Sequence, residues 1–374
     1  MRRRMAEGRG AGAHPGWTAL AFVPVPVAVA LKVVAAPDLA VFVAAGLAVL
    51  PLAHLMGVAT EELGKRAGPG VGGLLNATLG NATELIIALA LLLQAGSAAA
   101  AGNTSGAQGL VSVVQASIAG SIIGNVLLVL GFSMLVGGLR HKTQQFAVRP
   151  AELQVTMLAL ATAALVMPEL FQLSTEGRSQ LPNVSLSIAI ILLIGYALGL
   201  VFSLHTHKDV FNPVTAEREK PRWGARVALA VLVGATALVA LEAELLVGSL
   251  EPVVRDIGLK EIFVGVIVIA IIGNAAEHGG AVLMAWRNKM DLSVGIATIS
   301  STQVALFVTP VLMLASVVIG APLTLAFETF EVVAIVLSVA IVGLIARDGE
   351  SNWYEGALLL LLYAIIGVGF FFHP

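Results

Sequence analysis

Apolar residues occur along this chain in runs much longer than a soluble helix or strand requires. The runs lie near residues 17–35, 38–58, 71–95, 108–137, 152–172, 183–204, 225–248, 260–286, 291–319, 322–345 and 354–372. A helix needs about 20 mainly apolar residues to cross the hydrocarbon core of a bilayer. Within lipid, each backbone N–H and C=O must find its partner inside the segment, which favours helices. The pattern predicts an all-α polytopic membrane protein with eleven transmembrane helices. Composition agrees: 58% of residues are hydrophobic and 12% charged, against about 25% charged in a soluble domain.

The polar segments between the runs carry orientation. Placing the N-terminus in the cytoplasm and alternating the spans puts Arg2, Arg3, Arg4, Lys65, Arg66, Arg140, Lys142, Arg149, Arg287, Lys289 and Arg347 on the cytoplasmic side. The outer segments keep only Arg178, Arg255 and Lys260. This is the bias of the positive-inside rule. The C-terminus then lies outside. The basic N-terminus precedes an apolar segment without a clear small-residue cleavage site, so it reads as a retained first span. The longest polar stretch, 205–224, is cytoplasmic and divides ten spans into five and five. The predicted organisation is a cytoplasmic N-terminus and leading helix (1–37), a first five-helix repeat (38–204), a linker (205–224) and a second five-helix repeat (225–374). An odd number of helices per repeat inverts the second relative to the first, the plan of many secondary transporters.

Within this frame one short motif occurs twice. Gly80-Asn81-Ala82-Thr83-Glu84 returns as Gly273-Asn274-Ala275-Ala276-Glu277, each inside the second helix of its half. A carboxylate near the bilayer centre costs about 2.5–3.5 kcal/mol on insertion scales, so it needs a partner or water. Two ionised glutamates facing each other would repel. A divalent cation removes the repulsion, and so do protons, but both together are disfavoured, and such mutual exclusion at one site is a basis for exchange. Asn81 and Asn274 precede their glutamates by three residues and share a helical face with them. Their carbonyl oxygens suit a hard cation such as calcium, which takes 6–8 oxygen ligands; interhelical hydrogen bonding is the alternative. Gly80 and Gly273 weaken the helix beside the site.

The next span in each half is also polar. Ser117, Gly120, Ser121 and Gly124 fit close helix packing as well as a cation path, since small residues at spacing four let backbones approach. Asn125 and Gln303 favour a site role, because a large amide is expensive to hide. Glu61 and Glu62 read as a cation-collecting patch or a solvated turn, and Glu242, Glu244 and Glu251 as the same on the outer side. Glu328 and Glu331 read as a bridge between helices, with proton handling as the other option. His278 adjoins Glu277 but points away from it, either tuning the carboxylate or resting in a hydrogen bond.

At these residues the chain resembles the calcium/proton antiporters, the cation/proton exchanger branch of the calcium/cation antiporter superfamily. The resemblance is carried by HLMGVATEELGKRAGPGVGGLLNATLGNATELIIALALL (54–92), VQASIAGSIIGNVLLVLG (114–131), GLKEIFVGVIVIAIIGNAAEHGGAV (258–282) and SVGIATISSTQVALFVTPVLML (293–314). It implies eleven spans, a calcium site at Glu84 and Glu277, and proton-driven calcium export. By analogy it adds Ser121 and Asn125, with Ser300 and Gln303 opposite, as ligands. The implied location is a prokaryotic inner membrane. Sodium as the counter-ion, or another divalent cation as cargo, is the rival expectation.

Other functions find little support. There is no cysteine, hence no thiolate metal site or disulfide framework. No H-E-x-x-H, G-x-S-x-G or Walker A motif occurs. The expectation is a secondary transporter and not an enzyme, with calcium and protons as substrates, the lipid bilayer as surroundings, no cofactor and no nucleic acid. The sequence leaves stoichiometry and oligomeric state open, a homo-oligomer included.

Overall fold

The computed structural model describes residues 22–67, 69–173, 178–207 and 220–373. The basic N-terminus, the start of the leading span and most of the 205–224 linker lie outside the described residues.

The chain is helical almost throughout. In order it forms α1 (Pro24–Val33), α2 (Asp38–Ala67), α3 (Pro69–Leu79), α4 (Ala82–Ala100), α5 (Thr104–His141), α6 (Val148–Leu173) and α7 (Leu181–Thr206). There follow α8 (Ala225–Gly248), α9 (Leu250–Ile257), α10 (Glu261–Gly273), α11 (Ala275–Trp286), α12 (Met290–Ile319), α13 (Thr329–Ile345) and α14 (Trp353–Phe372). Among the described residues, eight helices are long and apolar enough to cross a membrane, or nine when the bent pair α10–α11 counts as one span. Their outer surface is apolar, with Leu160, Ile191, Val318 and Leu361 exposed, as expected where the surrounding solvent is lipid.

Two predicted spans depart from straight helices, and both breaks fall on the repeated motif. α3 stops at Leu79 and α4 starts at Ala82, with Gly80 and Asn81 between them. α10 and α11 meet at Asn274 with a bend of 64°. Asn81 (φ −93°, ψ 20°) and Asn274 (φ −101°, ψ 7°) have both left helical geometry for the sparsely populated bridge region. A glycine with little helical preference, followed by an amide able to bond elsewhere, explains why the helix yields there.

A third departure corrects the span predicted over 322–345. Its helix begins only at Thr329; residues 321–328 are non-helical yet largely buried. Gly320, at φ +84°, ends α12 in the left-handed region, and Pro322 lacks the N–H a continuing helix needs. The segment's backbone is satisfied from neighbouring helices. Gln115 Nε2 donates to the Thr324 and Ala326 carbonyls at 3.0 and 2.9 Å, and Leu325 N donates to Ser185 Oγ at 3.0 Å. Buried irregular backbone at membrane depth is tolerated under this condition.

The core is shared by both halves: Ile118, Ile122 and Leu127 of α5 pack in one cluster with Ile269, Ala297 and Leu306. At its centre α5 crosses α10 with almost no separation. A Cβ placed on Gly120 would lie 2.1 Å from the Val266 carbonyl oxygen, and one on Gly265 2.5 Å from the Ala116 Cβ. Small residues let two backbones meet where lipid supplies no hydrophobic drive between helices. At one end of the bundle β1 (Thr143–Gln145) pairs antiparallel with β2 (Glu350–Asn352), tying the chain after α5 to the start of α14.

Several charges change meaning in the fold. Glu62 is neither a cation collector nor a solvated side chain. It is buried and accepts the backbone N–H groups of Arg222 and Trp223 at 2.6 and 2.9 Å, while Arg66 donates to the Trp223 carbonyl. The two residues fasten the end of α2 to the approach to α8. Glu61 is exposed and paired with Lys65 at 2.7 Å. Glu328 and Glu331 form a capping box at the start of α13, Glu331 accepting the Glu328 N–H at 3.0 Å. They close a helix end, and Glu328 also stands 3.8 Å from His373 Nδ1 at the end of α14, a contact between helices of the kind the sequence suggested.

Candidate cation site

The two motifs meet. A Cβ built on Gly80 would stand 3.7 Å from Glu277 Oε1, and one on Gly273 would stand 3.6 Å from the Glu84 Cα. Each glycine thus lies against the glutamate of the other motif, at van der Waals distance from it once a Cβ is added. Glu84 occupies the first turn of α4 and Glu277 the first turn of α11. Unpaired N–H groups at a helix N-terminus favour negative charge. Both half-helices therefore present their electropositive ends to a region holding two acids.

Around the acids the amides and hydroxyls form two matching sets. Asn274 Nδ2 donates to Ser121 Oγ at 2.8 Å, and its Oδ1 accepts from Asn125 Nδ2 at 3.4 Å. Asn81 Oδ1 accepts from Ser300 Oγ at 3.0 Å, and its Nδ2 donates to Gln303 Oε1 at 2.7 Å. Each motif asparagine thus binds one hydroxyl and one amide from the third helix of the other half. Asn125 Nδ2 also donates to Ser300 Oγ at 3.0 Å, and Ser300 Oγ donates to Glu277. In both third helices a π-helical turn begins at these residues: Gly124–Val129 includes Asn125, and Val304–Val308 follows Gln303. Such turns interrupt regular helix bonding and recur at functional sites.

All eight residues singled out from the sequence therefore come together: Glu84, Glu277, Asn81, Asn274, Ser121, Asn125, Ser300 and Gln303. Both asparagines currently spend their amides on hydrogen bonds, so the two readings of them, ligand and helix bond, are not exclusive. The two acids differ. Glu84 is buried, and neither of its oxygens has a hydrogen-bond partner; Ser121 and Asn274 stand beside it outside bonding geometry. Glu277 lines a cavity of about 1260 Å³ together with Ser300 and Gln303. His54, Glu61, Asn76, Gln154, Lys289 and Asp291 also line it. Glu277 lines the cavity and Glu84 does not.

Local sequence signals did not reveal the cavity wall, His54, Gln154 and Asp291. They come from three different helices and follow no common spacing. His278, next to Glu277, buries its Nε2 without a partner, so the hydrogen-bonded histidine allowed by the sequence is not found at that nitrogen. Among the described residues no cluster of three or more acidic, histidine or cysteine side chains forms a ready metal cage. Any bound cation here would have to draw on amide, hydroxyl and backbone oxygens as well as the two carboxylates.

Discontinuous helices whose breaks meet beside a large cavity lined by polar groups are the architecture of a membrane transporter. The sodium/calcium exchanger protein family matches residues 38–205 and 227–372. The chain is 45% identical over 353 residues to a Ca(2+)/H(+) antiporter of Synechocystis sp., covering 89% of this chain and 91% of the relative. It is 42% identical over 359 residues to the Ca(2+)/H(+) antiporter ChaA of Bacillus subtilis, covering 94% and 98%. The solved structure of native YfkE superposes with a TM-score of 0.79 at 38% identity, covering 94% of this chain and 98% of that one. The chain belongs to the sodium/calcium exchanger family and, within the calcium/cation antiporter superfamily, to its calcium/proton antiporters.

Proposed function

We propose that this protein exports calcium from the cytoplasm in exchange for external protons, by alternating access to one site between Glu84 and Glu277. The observation that carries the proposal is the reciprocal contact of the two motifs, glycine of one on glutamate of the other, beside a large cavity lined by polar groups. A calcium ion between the carboxylates would satisfy both negative charges. Oxygens of Asn81, Asn274, Ser121, Asn125, Ser300 and Gln303 would complete the shell of 6–8 ligands it prefers. Two protons would neutralise the same pair, so calcium and protons would occupy the site by turns. The matched sets of hydrogen bonds support reading 38–204 and 225–374 as inverted five-helix repeats. With the leading helix they make eleven spans.

Flux in proteoliposomes tests this. Calcium uptake driven by an imposed pH gradient in sodium-free buffer is the expected result. Uptake that requires sodium would replace the proton with sodium as counter-ion, and leak without counter-transport would make the protein a channel.

Direction can be tested separately. The cavity mouth is bounded by Lys65, Lys289 and Asp291, on the side that the positive-inside rule assigns to the cytoplasm of a prokaryotic inner membrane, with the N-terminus on that side and the C-terminus outside. The chain has no native thiol, so a single cysteine reports its own accessibility. His54→Cys, on the cavity wall, should react with a membrane-impermeant maleimide added from the cytoplasmic side. Ser117→Cys, at a buried position, should not. Labelling of His54→Cys only from the outer side would reverse the orientation.

A further inference from the structure

Glu242 has no role in the site described above. It lies on α8 with 0% of its surface exposed, and neither carboxyl oxygen has a hydrogen-bond partner. Its neighbours along the helix, Val239, Ala243 and Leu246, are core residues. α8 packs against α1, α2, α4 and α9. The charged and titratable groups those elements carry are Lys32 on α1, Asp38 at one end of α2, and His54, Glu61, Glu62, Lys65 and Arg66 toward the other. α4 adds Glu84, and α9 adds Glu251, Arg255 and Asp256. None of them bonds to Glu242. A carboxylate held in this way, without water or partner, would cost several kcal/mol. This setting favours a bound proton over a bare charge on the group. Packing does not explain it, because a leucine would fill the space without burying two polar atoms.

Symmetry indicates when the proton could exchange. α2 leads into the broken helix of Glu84, as α8 and α9 lead into the broken helix of Glu277. On α2, His54 lines the open cavity. Counted from the motifs, Glu242 lies 35 residues before Glu277 and His54 30 before Glu84, so Glu242 occupies the corresponding helix though not the corresponding position. When inverted repeats exchange conformations, the cavity on one face closes and its mirror image opens on the other. The counterpart cavity would run along α8 and end on Glu84, the acid that does not line the present one.

We propose that Glu242 is a second proton-binding site, hydrated only when the protein opens to the outer side, where the neutral acid gives its proton to external water and the protein can close again only after the carboxylate has taken one back. Each step is a proton transfer alone: an O–H bond breaks on the Glu242 acid as one forms in an external hydronium ion, and the reverse transfer restores the acid. Closure then carries the neutral acid back into the core. This inference rests on the inverted-repeat reading above.

Two flux modes in proteoliposomes separate this from a structural role. Calcium/calcium exchange needs no proton, and calcium uptake driven by a pH gradient does. Glu242→Gln imitates the neutral acid, so it should retain calcium/calcium exchange and lose the dependence of proton-driven uptake on pH at the outer face. If both modes and the pH profile match the unmodified protein, the proposal is wrong. If both modes fail together, carbodiimide labelling of the unmodified protein decides. The reagent adds to a neutral carboxylic acid in an apolar setting and is retained whole as an acylurea. Modification of Glu242 during turnover, found by peptide mass spectrometry, supports the proposal, and its absence overturns it. Glu84→Gln, measured in parallel, should lose both modes. If it kept them, the calcium-site reading would fail independently of Glu242.

Discussion

Glu84→Gln and Glu277→Gln are each expected to reduce calcium uptake to the level of protein-free vesicles while the purified protein stays folded. Glutamine keeps the volume of the side chain and its oxygen. Ser300 can still donate to position 277, and no cavity is opened at position 84. The negative charge is what disappears. A carboxylate oxygen about 2.4 Å from a divalent ion contributes on the order of 10 kcal/mol of attraction before desolvation, even at an effective dielectric constant near 20. A neutral amide offers only its dipole. The remaining carboxylate would face an ion of twice its charge in a site with no other acid. Binding can be measured apart from transport: a ligand that binds only the folded state raises the melting temperature. Calcium should raise it for the unmodified protein and leave it unchanged for either variant. A variant that kept full transport would remove the two-carboxylate site.

The two substitutions need not affect protein stability equally. Glu84 has no hydrogen-bond partner, so an amide there inherits an unsatisfied position and little is lost. Glu277 accepts from Ser300, which also donates to Asn81. Glutamine there keeps an acceptor for Ser300 but sets a new NH2 donor beside a network that joins both halves, and such networks respond as units.

The parts of this site that were legible in the sequence are those whose signal is local. Glu84 and Glu277 stood out because a carboxylate inside an apolar run demands a reason, and the repeated motif supplied the same reason twice. Asn81 and Asn274 were picked out by a continuous helical spacing that the fold does not keep, since the helix breaks at each of them. The third-helix residues were harder, because polar small residues such as Ser121 and Gly124 fit packing and ligation alike. The choice between Ser300 and its neighbour Ser301 depends on which hydroxyl faces Asn81. Ser301 instead donates back to the Ala297 carbonyl, a difference set by tertiary packing. Glu62 and Glu242 were misjudged for a related reason. Near the end of an apolar run a charge looks solvated, and only the fold reveals that Glu242 is fully buried without a partner or that the Trp223 backbone arrives at Glu62. The non-helical segment 321–328 was hidden because its residues are as apolar as a span, and burial in protein satisfies the same composition as burial in lipid.

Gly120→Val should abolish assembly of the folded protein, and Gly120→Ala should lower its melting temperature sharply, although neither changes a polar residue. The Cβ required by alanine would lie 2.1 Å from the Val266 carbonyl oxygen and 2.6 Å from the Val266 Cα. Both are backbone atoms of α10, so no rotamer change can relieve the clash. The helices would have to separate at the point where α5, bearing Ser121 and Asn125, meets the helix that leads to Asn274. Overpacking a core typically costs about 1–3 kcal/mol when side chains can adjust, and here only backbone displacement is available. The loss should reach the site before it reaches the fold. Ser121 is one residue from Gly120 and holds Asn274 at 2.8 Å. A small separation of α5 from α10 would lengthen that bond, so calcium binding by Gly120→Ala should weaken at temperatures where the protein is still folded. Gly195→Ala is the control, since nothing stands within 4 Å of its added Cβ. It should match the unmodified protein in melting temperature and flux. Equal behaviour of Gly120→Ala and Gly195→Ala would mean that α5 and α10 do not meet as closely as this, and the shared site they bring together would lose its scaffold.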